Sequence, residues 1–193
     1  MTKNRLEAFS DGVLAIIITI MVLEFKVPND TTFESVLKLS HKFLSYILSF
    51  IYVGIYWNNH HHMLHTVKTV NGKILWANLH LLFWLSLIPF TTAWIGEHHF
   101  APFPMMLYGI VLLMNAIAYF ILQNIIIANH GKDSILSKAL GKDFKGKVSV
   151  VLYIIAVVLT KYYTLISGIL YIIVAIMWLI PDKRIEKILK EEN

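Results

Sequence analysis

The chain has 193 residues, 57% of them hydrophobic, and a mean hydropathy of +0.64. A soluble domain of this size has too little interior to hide so much apolar surface, which implies an all-α integral membrane protein. The net charge of +5 then reports on topology rather than on nucleic acid, and the lack of cysteine removes disulfide and thiol chemistry.

A crossing helix needs roughly 20 mostly apolar residues. The apolar runs predict one domain, 1–193, with six such helices over 6–25, 43–64, 74–95, 105–127, 147–161 and 163–180. The first begins among Arg5, Glu7, Ser10 and Asp11 and stops at "KVPND"; it lacks a small-residue cleavage site, so no removable signal peptide is expected. The third contains Pro89, which removes a helical hydrogen bond and predicts a bend. The last apolar stretch, 148–180, is too long for one crossing and tight for two. A hairpin turning near "KYYT" is the reading adopted, with a single tilted helix plus an interfacial piece as its competitor. Trp57, Trp76, Trp84, Trp94 and Trp178 suit interface belts or helix packing.

Charge tests the count. With six helices, all but four of the 17 basic residues fall on one side of the membrane, the exceptions being Lys26, Lys38, Lys42 and Lys161. The basic-rich side is cytoplasmic by the positive-inside rule, which puts both termini there, whereas five helices would export the basic tail. The Lys-rich segment "HGKDSILSKALGKDFKGK" is expected to touch anionic headgroups.

Helix 1 separates by angle. At about 100° per residue, Arg5, Phe9, Gly12, Ile16, Ile20 and Leu23 share one face, and Thr19 borders it. Ser10 and Asp11 point away on either side of the back. Periodicity alone leaves the Ile16 face open to lipid contact or core packing, and leaves Ser10–Asp11 open to an N-cap role.

The segment "WNNHHHMLH" carries the competing chemistry. His61 and His65 are four apart on a helix, a spacing that lets two imidazoles share a metal. The separated histidine boxes of a membrane metalloenzyme are missing, however, and no metal or other cofactor is expected. The favoured role is a polar network: Arg5, Ser10 and Asp11 lie at the same depth as Asn58, Asn59, His60, His61, His62, Trp76, Asn78 and His80. Such a network fixes helix orientation when every member is satisfied.

"RLEAFSDGVLAIIITIMVLEFKVP" closely resembles the Arg-x-x-x-Phe-Ser-Asp first helix of the transmembrane protein 175 family of potassium-permeable channels. The similarity continues through "YWNNHHHMLHTVKTVNGKILWANLHLLFWLSLIPF" and closes at "WLIPDKR". The resemblance implies a potassium-selective cation channel, not an enzyme, built as a homotetramer whose first helices line a central pore. It implies a hydrophobic constriction at Ile16, further apolar rings at Ile20 and Leu23, and a hydroxyl layer at Thr19, with potassium permeating near Ile16 and Thr19. The single six-helix unit implies a prokaryotic plasma or inner membrane, since animal members carry two units. The expected partners are other copies of the chain, the bilayer and monovalent cations, with no nucleic acid. A rival from another class is a secondary, proton-coupled transporter, for which His80 is the one titratable residue near mid-membrane; a His-cluster metalloenzyme is a second.

Overall fold

The computed structural model describes residues 2–131, 133–140 and 143–179. Lys132, Lys142, the closing "IPDKR" and the basic tail with Lys187 and Lys190 lie outside the described residues. Among the described residues the chain is helical and holds no strand. The helices are α1 (Lys3–Leu23), α2 (Phe33–Leu37), α3 (Ser40–His65), α4 (Gly72–Leu85), α5 (Ile88–Glu97), α6 (Pro102–His130), α7 (Ile135–Leu140), α8 (Phe144–Leu159) and α9 (Thr164–Leu179).

Among the described residues, three stretches are long and apolar enough to cross a bilayer: Lys3–Leu23, Gly72–Glu97 and Pro102–His130. The middle one is α4 and α5 together. The helix is interrupted at Ser86–Leu87, and Pro89 sits in the first turn of α5. Proline has no N–H to donate to the carbonyl four residues back, so the regular ladder stops there and restarts. Ser86 turns its hydroxyl onto the Phe83 carbonyl at 2.7 Å, satisfying a backbone oxygen at the break.

The apolar stretch after residue 147 divides into α8 and α9, each of 16 residues. At about 1.5 Å per residue each reaches some 24 Å, slightly less than a hydrocarbon core. Their turn is sealed by hydroxyls. Thr160 Oγ1 and Ser167 Oγ both donate to the Ala156 carbonyl at 2.7 Å, which ties the first turns of α9 to the end of α8.

The α3 and α6 helices form the middle of the bundle. On one side α1 packs on α3, α4 and α5; on the other, the α8–α9 hairpin packs on α6 and α3. The core between them holds large side chains such as Tyr52, Tyr108, Tyr171, Leu14, Met63 and Leu85. Gly109 permits the closest of these contacts, because a Cβ there would overlap the Tyr171 hydroxyl, which donates to the Met105 carbonyl at 3.2 Å.

Candidate pore face and its anchoring network

The two sides of α1 have opposite environments. Leu6, Ser10, Leu14, Ile17 and Met21, spaced three or four apart, are all buried against the bundle. The opposite stripe is bare: Phe9 is 49% exposed, Ile16 57%, Ile20 41% and Leu23 76%. Arg5, Gly12 and Thr19 are exposed beside them. A strip of aliphatic side chains this long, with no partner inside the protomer, suits lipid, a neighbouring subunit or a pore. Thr19 Oγ1 donates to the Ile16 carbonyl at 2.9 Å, which ties up the hydroxyl proton and leaves oxygen lone pairs free. An open groove of about 420 Å³ borders the stripe, between Val13, Ile16, Ile17 and Ile20 of α1 and Pro89, Phe90 and Ala93 of α5.

The buried side of α1 is anchored by a chain of hydrogen bonds. Ser10 Oγ donates to the Leu6 carbonyl at 2.8 Å. Asn78 Nδ2 of α4 donates to Ser10 Oγ at 2.9 Å, and Asn78 Oδ1 lies 2.7 Å from His60 Nε2 of α3. An amide oxygen can only accept, so His60 donates from Nε2. Three helices therefore meet through one relay whose members are nearly or fully enclosed, with exposures of 0% for Ser10 and Asn78 and 2% for His60. Beside it, Trp57 Nε1 donates to Asp11 Oδ1 at 3.0 Å. Lys3 Nζ donates to the His65 carbonyl at 2.7 Å, tying the start of α1 to the end of α3. Glu7, 3.8 Å from Lys3 Nζ, keeps a buried carboxylate oxygen with no hydrogen bond.

Of the residues placed in the network by depth, the fold brings together Ser10, Asn78 and His60, with Asp11 alongside. It keeps the others apart. Arg5 and Trp76 are exposed, and His80 is turned to Trp84, whose Nε1 donates to His80 Nε2 at 3.0 Å. Asn58 is half-buried, and Asn59 is buried with its amide turned back to the Ile55 carbonyl at 2.8 Å. His61 stands edgewise to His62 and tilted to His65, with ring centroids 5.6 and 6.2 Å away. Among the described residues no three histidines or acids converge as a metal site.

Sequence reasoning missed Trp57, Lys3 and Glu7. Trp57 was readable in principle, since it stands three residues before His60 on the same side of α3 and at the depth of Asp11. A second polar tie was also missed: Thr92 Oγ1 donates to Ser49 Oγ at 2.6 Å, and Ser49 lies 3.0 Å from the Tyr108 hydroxyl, joining α5, α3 and α6. Its signal was the paired threonine of "LIPFTTAW", read above only for its proline.

A family model described as "Endosomal/lysosomal potassium channel TMEM175" matches residues 5–89, which include α1 from Arg5 onward, the relay and the Pro89 break. A potassium channel from Chryseobacterium sp. (strain P1-3) is 60% identical over 191 residues, covering 99% of this chain and 100% of that protein. The chain belongs to the TMEM175 family. A potassium channel from Chamaesiphon minutus is 37% identical over 105 residues, covering 51% of this chain and 52% of that one. The crystal structure of a lysosomal potassium-selective channel TMEM175 homolog from Chamaesiphon minutus superposes with a TM-score of 0.79 at 28% identity. It covers 93% of this chain and 97% of that structure. These TMEM175 relatives are ion channels rather than enzymes. Membership also makes the apolar helices of this chain membrane helices.

Proposed function

We propose that the chain is a potassium-selective channel, with six transmembrane helices per subunit, both termini cytoplasmic, in the plasma or inner membrane of a prokaryote. Four copies assemble around a central axis with α1 innermost. The observation that carries this reading is the bare stripe of α1, Ile16, Ile20 and Leu23, which the protomer leaves without a partner.

In this arrangement four Ile16 side chains form the narrowest ring, with Ile20 and Leu23 forming further rings toward the outer mouth. An ion cannot shed its water against hydrocarbon, so such rings close the path when they dewet. Thr19 lies one step round from Ile20, and its oxygen offers a ligand for a partly hydrated potassium ion. The chain lacks a Thr-Val-Gly-Tyr-Gly segment, so a carbonyl filter plays no part and discrimination against sodium is modest. The Ser10–Asn78–His60 relay holds α1 at one rotation about its own axis, which keeps the stripe aimed inward. No cofactor takes part, and potassium is the permeating ion.

Flux from proteoliposomes of purified protein tests the reading. Passive potassium flux that follows the potassium gradient alone is expected, and saturable flux coupled to protons overturns it in favour of a carrier. Ile16→Asn is expected to raise basal flux by about an order of magnitude and to reduce selectivity, because one amide per subunit hydrates the ring. Unchanged flux in that variant removes Ile16 from the path. Thr19→Val is expected to leave conduction in place while lowering the preference for potassium over sodium. Asp11→Asn with an unaltered oligomer and unaltered conductance overturns the coupling of the anchoring network to the pore.

A further inference from the structure

A second surface, on the side of α4 and α6 away from the relay, has a form of its own. A groove of about 920 Å³ runs between these helices, lined by Lys73, Trp76 and His80 on α4 and by Ile121, Ile125 and Asn129 on α6. Lys73, Trp76 and His80 are spaced three and four apart, so they lie along one strip of α4. Among the described residues, no acidic side chain lines the groove.

The groove changes character along its length. At the loop end, Asn71 Nδ2 donates to Asn129 Oδ1 at 2.6 Å and Asn129 Nδ2 reaches Thr69 Oγ1 at 3.4 Å, pinning α4 to α6 beside the Lys73 cation. About a turn further in stands Trp76, 75% exposed, a side chain suited to the boundary between headgroups and acyl chains. The inner walls are Ala77, Ile121 and Ile125. His80 lies seven residues beyond Lys73, roughly 10 Å along the axis. Its Nε2 accepts from Trp84 Nε1, so the neutral ring carries its proton on Nδ1, a donor with no partner among the described residues.

A cation at the membrane surface, an indole below it, a spare N–H deeper still and hydrocarbon walls repeat the order of groups along a diacyl phospholipid. We propose that this groove binds one anionic diacyl phospholipid, with its phosphate at Lys73, an ester carbonyl accepting from His80 Nδ1, and an acyl chain along Ile121 and Ile125. Charge complementarity decides the occupant. A zwitterionic lipid brings its own cation to Lys73, and an apolar helix of a second copy leaves both Lys73 and the His80 N–H without an acceptor. The site requires the membrane but not the assignment of α1 as the pore helix.

Thermal unfolding of the full-length protein in detergent, titrated with dioleoylphosphatidylglycerol, tests the proposal. Saturable stabilisation is expected, with dioleoylphosphatidylcholine at least fivefold weaker. Lys73→Gln is expected to weaken the anionic lipid about fivefold, the effect of one basic residue near an anionic surface, and to leave the zwitterionic lipid unchanged. His80→Phe is expected to erase any preference for ester-linked over ether-linked phosphatidylglycerol, a readout that lost packing alone does not move. Equal stabilisation by both lipids, or a Lys73→Gln variant with undiminished response, overturns the site. Glycerol 3-phosphate matching the lipid makes it a soluble-phosphate site instead. A smaller oligomer on Trp76→Ala, at a side chain outside the core, assigns the groove to a second copy and overturns the lipid.

Discussion

Ile16 and Ile17 are neighbours of the same type on one helix, yet the first is 57% exposed and the second 3%. The same division runs along α1: one side carries the relay through Ser10 and the packed stripe ending at Met21, and the other carries the bare Phe9, Ile16, Ile20 and Leu23 with Arg5, Gly12 and Thr19 beside them. The difference teaches where orientational specificity comes from in an apolar solvent. Aliphatic side chains gain little by choosing a protein neighbour over lipid, so they cannot by themselves set the rotation of a helix. A hydroxyl that must meet an amide, which must meet an imidazole, is satisfied at one rotation only.

The sharpest way to break this comparison is to put the same amide on each side. Ile17→Asn buries a polar group in a packed site and is expected to cost roughly 2–5 kcal/mol, a fall in unfolding temperature of about 10 °C. Ile16→Asn is expected to keep the fold and oligomer, as judged by size-exclusion profile, and to act on flux alone. Equal damage from both variants contradicts the two-sided reading of α1.

A smaller effect is expected in the relay. Asn78→Leu strands the His60 N–H in a dry site at a cost of about 1–3 kcal/mol, a fall of roughly 5 °C. The double variant Asn78→Leu, His60→Leu is expected to recover much of that loss, because no orphaned donor remains. A double variant no better than the single one shows that packing, not hydrogen bonding, holds the three helices together there.

Trp57→Phe removes the N–H given to Asp11 at a half-exposed position, where water can replace it. Its cost is expected to be about 0.5–1 kcal/mol, read as a shift of some 2 °C in the same unfolding assay. The smallest effect belongs to an ion pair near the other end of α1. Lys42 and Glu97 form an ion pair between α3 and α5, with the Glu97 side chain 60% exposed. Lys42→Ala is expected to cost under about 1 kcal/mol and to lose even that in high salt, measured as unfolding with and without added salt.

The legible and illegible parts of the site divide along similar lines. The alternation of Ile16, Ile20 and Leu23 with Leu14, Ile17 and Met21 follows from helical geometry, and it separates the residues the fold leaves bare from those it packs. The depth of the polar residues was equally readable, because depth is counted along a helix. Their pairing was not. Asn78 and His80 are two residues apart and equally polar, yet Asn78 faces Ser10 and His60 while His80 faces Trp84. Nothing in their types distinguishes them. Trp57, read as a belt residue, became the donor to Asp11 because α1 and α3 lie within one side chain of each other at that level.

By itself, the amino-acid sequence determined the membrane class and the two stripes of α1, and its motif pointed to the TMEM175 family. These rest on hydropathy and helical period, which are local and add up residue by residue. Only the tertiary structure decided that His60 rather than His61 or His62 meets Asn78, that the chain breaks at Ser86–Leu87, and that a lined groove lies between α4 and α6. Each of those depends on how far one helix is turned and shifted against another, and that is set jointly by every helix packed in the bundle.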